Sequence, residues 1–331
     1  MAQNRLLSAK WLYWLVIGGL LAVLTLSAML APLAHATTIN VTTLADELNQ
    51  NGNCSLREAI RAANLDMSVD ACPSGQGADS ISLAPGIYRL GIDGRDEDAG
   101  TTGDLDVAAD LMITGALSST TVIDGGALDR VIDSLSGAHV AISNVTLQNG
   151  TPGLGADGGG VRNAGALTLV DTIVAGNSAE DFAGGGIHSS GVLTITGSII
   201  RNNTAGNGGG INNEGVVHVL GSLVNQNTGG GIATAGAATV ANTILSENVG
   251  ASSGGGIANL QGTLIVASSA IISNTAEFGG GLRNSGTLSV THTLIQGNSG
   301  EIGGGVTNES SVGASLSAST ISGNVGSGIQ N

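Results

Sequence analysis

Residues 184–207, "GGGIHSSGVLTITGSIIRNNTAGN", decide the fold. Leu193 and Ile195 flank Thr194, an alternation of period two that marks a strand with one face turned inward. The glycine triplet at the front supplies turns that need positive φ. Asn203 follows Ile200 by three positions, and then the pattern starts again as "GGGINNEGVVHVLGSLVNQNT", residues 208–228. The same sentence precedes it as "GGGVRNAGALTLVDTIVAGNSAEDFA", residues 158–183. Further copies begin at Gly229, Gly254, Gly279 and Gly303, an eighth opens at Gly326, and successive starts lie 21 to 26 residues apart.

Aligned, the copies make columns. Leu167/Leu169 answer to Leu193/Ile195, Val217/Val219, Ala238/Val240, Leu264/Val266 and Leu288/Val290. A second apolar column runs Val174, Ile200, Val224, Leu245, Ile271, Ile295 and Ile321. Three positions on stands an asparagine ladder: Asn177, Asn203, Asn227, Asn248, Asn274, Asn298 and Asn324. A unit of about 24 residues cannot bury a core alone, so coils must stack and hydrogen-bond their neighbours. The expected fold is all-β: a right-handed parallel β-helix, or solenoid, with an N-terminal capping helix. Residues 158–331 are its regular repeats, and 79–157 its irregular first coils. The ladder amides are expected to bond from coil to coil inside it.

Aromatic residues make up 2% of the chain, so stacked aliphatics must fill the core. Arg5 and Lys10 precede an apolar run from Trp11 to Leu30, and Ala34-His35-Ala36 fits a cleavage site. Residues 1–36 therefore read as a signal peptide, with an uncleaved anchor as the rival. Cleavage leaves an exported, secreted or cell-surface protein without a membrane span. Removing Arg5 and Lys10 leaves eight arginines against 25 acids, a net charge of about −17. That balance excludes nucleic acid as a partner, because phosphate binding needs clustered cations.

Between signal and coils, residues 37–78 form the expected cap. "NCSLREAIRAAN", 53–64, is the one helical stretch in this region. Ser55 and Glu58 have the spacing of a capping box, and Leu56, Ala59, Ile60 and Ala63 share a face. Such a helix covers the open end of the first coil, while Arg57 and Arg61 are expected in solvent. Cys54 and Cys72, both behind the export signal, are expected to form a disulfide.

"NGNCSLREAIRAAN", "GADSISLAPGIYRL" and "TGDLDVAADLMITG" together resemble the front of exported bacterial proteins named for their Cys-Ser-Leu-Arg-Glu-Ala motif. Here that motif is Cys54 to Ala59, and the resemblance extends through the repeats to essentially the whole mature chain. It implies a secreted or surface-attached β-helix of the pectin-lyase-like fold. It implies no reaction.

The chemistry-bearing residues are sparse. Beside each glycine-rich turn the outward position reads Arg162, His188, Asn212, Ala233, Ala258, Arg283 and Thr307, with no acid among them. A polysaccharide lyase or hydrolase needs carboxylates there, so Arg162 and His188 stand without a stacked aspartate. His139, His188, His218 and His292 read as surface residues. The acids gather instead in "GIDGRDEDAGTTGDLDV", 91–107, expected as a solvated loop. Asp93, Asp96, Asp98, Asp104 and Asp106 there are the candidate calcium ligands. No other cofactor is implied, and no catalytic residue is assigned.

The sequence thus favours a non-enzymatic β-helix that presents an elongated surface for adhesion or for binding glycans or other extracellular ligands. A polysaccharide lyase or hydrolase, and a structural spacer, are the alternatives. The last residues, Gly328 to Asn331, lie inside a fresh coil, so the chain is expected to continue or to self-associate end to end.

Overall fold

The computed structural model describes residues 36–95, 97–252 and 254–331; the expected signal peptide, apart from Ala36, lies outside them. Among the described residues no helix is long and apolar enough to cross a membrane. The described chain is a right-handed parallel β-helix of three sheets carrying eleven, ten and ten strands. Thr38–Asn40 joins only the eleven-stranded sheet; each coil after it contributes one strand to each sheet, and every pairing between strands is parallel.

Sheet 1 holds the five-residue alternating strands, such as Val192–Thr196, which pairs with Ala166–Val170 on one side and Val216–Leu220 on the other. Its register places Ile113, Ile142, Leu169, Ile195, Val219, Val240, Val266 and Val290 in one column, each fully buried. Sheet 2 holds the strands after the glycine triplets, such as Ile187–Ser189, and sheet 3 those before the ladder, such as Ile199–Arg201. In the irregular first coils, strands run Asp79–Leu83, Gly86–Arg89 and His139–Ser143, among others. Thr38–Asn40, Ile132–Ser134 and Thr146–Gln148 are strands that the alternation did not mark, two of them with no room for more than one inward residue.

The triplet glycines answer to two separate demands. Gly184 sits at φ +70°, in the left-handed region, where a side chain would be strained. Gly185 has no room: a Cβ there would collide with the carbonyl oxygen of Thr204 in the next coil.

The ladder lies inside. Asn248 Nδ2 donates to Asn274 Oδ1 at 2.9 Å and to Val224 O at 3.0 Å, while its Oδ1 accepts from the Asn227 backbone at 3.1 Å. The same triple connection joins Asn177 through Asn298, all of them buried, and Asn324 ends the column half-exposed. Two more ladders were not legible. Asn163, Ser189, Asn213, Thr234, Asn259 and Asn284 stack beside sheet 2, with Asn259 Nδ2 to Asn284 Oδ1 at 2.6 Å. The hydroxyls of Ser198, Ser222, Thr243, Ser269, Thr293 and Ser319 each accept from the backbone N–H of the coil before, beginning with that of Thr172. These ladders satisfy polar groups that burial would otherwise penalise.

The helix α1, Leu56–Leu65, closes the N-terminal end against sheet strands Asp79–Leu83 and Leu105–Val107. Ser55 Oγ accepts from the Glu58 backbone N–H, and the Glu58 carboxylate accepts from that of Ser55 at 3.0 Å. Leu56, Ala59, Ile60, Ala62 and Ala63 are buried in the common core. Cys54 and Cys72 form a disulfide. Arg57 is not in solvent. It is 1% exposed, and its guanidinium donates to the carbonyls of Thr102, Gly103 and Asp104. Arg61 donates to Ala99 O at 2.7 Å. Both arginines therefore pull residues 99–104 onto the helix, so this acidic stretch is held against the body rather than protruding.

Candidate functional site

The outward column of sheet 2 begins two coils earlier than the glycine triplets reveal. Its register runs Asp106, Asp133, Arg162, His188, Asn212 and onward to Thr307. Arg162 therefore does have stacked aspartates beside it. The expectation of a column without acids fails because Asp133 lies in "DRVIDSL", a coil with no glycine triplet to announce its strand.

Arg162 Nη2 lies 2.6 Å from Asp133 Oδ2 and 3.7 Å from Asp98 Oδ1. The Asp133 hydrogen bond is the main reason that the Arg162 guanidinium is held above its ordinary pKa. Asp104 pairs with Arg130 at 3.0 Å, and Arg130 also lies 3.6 Å from Asp133. Asp98, Asp106 and Asp133 each place a carboxylate oxygen within 4.8 Å of the others. Burial is the leading cause that pushes the Asp104 carboxyl up to about 7, against the pull of Arg130. Burial, then the neighbouring Asp104, pushes Asp106 up to about 8. Four carboxylates here face two guanidiniums.

Of the five carboxylates read as calcium ligands, the structure brings Asp98 and Asp106 together and adds Asp133. Asp104 is engaged by Arg130, Asp93 is exposed, and Asp96 lies outside the described residues. Glu97 is occupied by its own loop, accepting from the backbone N–H groups of Ala99, Thr101 and Thr102; these outweigh burial and hold it below the usual carboxylate range.

Over this cluster opens a groove of about 900 Å³, lined among others by Asp98, Arg130, Asp157, Arg162, His188 and Glu214. His188 is 8% exposed and its Nδ1 lies 3.1 Å from Asn212 Oδ1, so it is a groove residue and not a free surface one. His139 is exposed and sits 2.8 Å from Asp110, on sheet 1. Chemically, the groove offers donors and acceptors on consecutive rungs about 4.8 Å apart, with more acid than base along its walls.

No family model matches this chain, and no curated protein does. Among solved structures it is similar to the A-module of the mannuronan C-5 epimerase AlgE4 of Azotobacter vinelandii, at 15% identity over 85% of this chain and 98% of that one, with a TM-score of 0.40. The AlgE6 A-module of the same organism matches at 16% identity over 77% of this chain and 91% of that one, with a TM-score of 0.37.

Proposed function

We propose that this is an exported β-helix protein that binds extended glycans along the groove of sheet 2. The observation that carries this reading is the in-register pair Arg162 and His188, with Glu214 from the next coil, along a polar groove spanning several coils. A row of polar groups repeating once per rung suits a polymer that presents hydroxyls at intervals, whereas a compact ligand would use only one rung. The excess of carboxylates favours neutral or amino sugars over polyanions. Export is supported by the leader-like segment and by the resemblance of Cys54–Ala59 to exported proteins. Display of the same surface at the cell exterior would make the protein adhesive.

The test is affinity electrophoresis of the purified chain through gels that contain neutral, amino-sugar or uronate polysaccharides. Retardation by a neutral or amino-sugar polymer, lost in an R162A/E214A variant, is expected. Unchanged mobility in every gel overturns glycan binding and leaves the spacer reading.

A second reading, a polysaccharide lyase or hydrolase, is favoured by the carboxylates packed beside Arg162 and His188. Appearance of new chain ends in the same polymers, abolished in D133N, would replace binding by cleavage as the function.

A further inference from the structure

We propose that Asp98, Asp106 and Asp133 form a binding site for one divalent cation of the calcium class, which enters by displacing Arg162. The proposal does not depend on the glycan reading. Two coils bring the ligands together: Asp106 and Asp133 are register partners on adjacent rungs of sheet 2, and Asp98 comes from the loop before Asp106 that Arg57 and Arg61 tie down. Their oxygens lie within 4.8 Å of one another, and a cation that bonds oxygen at about 2.3–2.6 Å can touch all three at once. The donors are all carboxylate, with no nitrogen or sulfur, which selects a hard cation.

A second observation points to a missing ligand. Asp106 is 0% exposed; its Oδ2 accepts from the Gly100 N–H at 2.8 Å, but among the described residues its Oδ1 accepts no hydrogen bond. A buried carboxylate oxygen left bare is costly, and it belongs to the residue at the centre of the acidic group. Arg162 covers Asp133 and leaves Asp106 unserved. The Arg162 side chain is 40% exposed, so it can turn into the groove when a cation takes its place. Asp98, whose side chain is 70% exposed, marks the way in.

Calorimetric titration of the chelator-treated full chain with calcium chloride tests this. One calcium per chain is expected. D98N and D106N should each weaken it about tenfold or more, and R162Q should tighten it several-fold by removing the competing cation. Because Asp98 is exposed, D98N keeps the fold intact even where D106N does not. No binding up to about 10 mM calcium, or binding unaffected by D98N, overturns the site. Unchanged affinity in R162Q overturns the displacement of Arg162.

Discussion

Arg57 grips both carboxylate oxygens of Asp46, with Nε 2.7 Å from Oδ1 and Nη2 3.0 Å from Oδ2, and neither side chain is more than 5% exposed. Asp46 in turn accepts from the backbone N–H groups of Gly91 and Ile92. One ion pair thus joins the segment before the helix, the helix itself and the acidic loop.

Breaking that pair should be expensive. Arg57→Ala leaves a buried carboxylate and several carbonyls without their donor, a loss of about 3–5 kcal/mol. Arg57→Lys should recover little, because an ammonium cannot hold two oxygens and three carbonyls in one plane. Urea unfolding of both variants checks this, and a loss below about 1 kcal/mol for the alanine variant contradicts it.

The asparagine ladder should be strongest in its middle. Asn248→Ala strips partners from Asn227, Asn274 and Val224, all at buried positions, at a cost of about 2–4 kcal/mol. Asn324→Ala, at the half-exposed end, should cost under about 1 kcal/mol. Equal losses at the two positions would show that the amides do not act as a buried chain.

Reducing the disulfide should loosen the helical cap before the coils. The cysteines are 18 residues apart, so chain entropy assigns the cross-link about 3 kcal/mol. Hydrogen exchange in a Cys54→Ala/Cys72→Ala variant should rise around Leu56–Leu65 while the ladder coils stay protected. Uniform loss of protection would refute a local role.

Acid should act through Asp124. Burial pushes its carboxyl up, but hydrogen bonds from Gln148, the Gly126 N–H and Asn149 outweigh it and hold it below the usual range. A depressed folded-state value means stability present above the unfolded pKa, near 4, and lost as pH falls further. Asp124→Asn should therefore be destabilising at pH 7 and nearly neutral at pH 3, read from melting temperatures. A constant difference between the two pH values would exclude this linkage.

The fold was legible because its main signals are local and repeated. Leu167/Leu169 and their counterparts mark a strand in every copy, and Asn177 onward marks the same turn each time. The site was not, because its key pairings are long-range. Asp133 meets Arg162 across 29 residues, a longer step than any regular repeat, since an insertion between them hides the register. Arg57 sits on what reads as the polar face of an amphipathic helix, yet carbonyls more than 40 residues away bury it. The second ladder escaped because Asn163, Asn213 and Asn259 alternate with Ser189 and Thr234, a substitution pattern that looks like ordinary surface variety until register aligns it.

Among the described residues of the regular repeats, each coil hydrogen-bonds only the one before and the one after, so this part of the molecule is a sum of interchangeable storeys. Removing a whole storey from the middle, cut at equivalent points such as Gly254 and Gly279, would rejoin Gly231 to Gly280 and Asn248 to Asn298 with partners of the same kind. Length is therefore a quantity that duplication or loss of one unit can adjust in steps of about 4.8 Å, without redesign of either end.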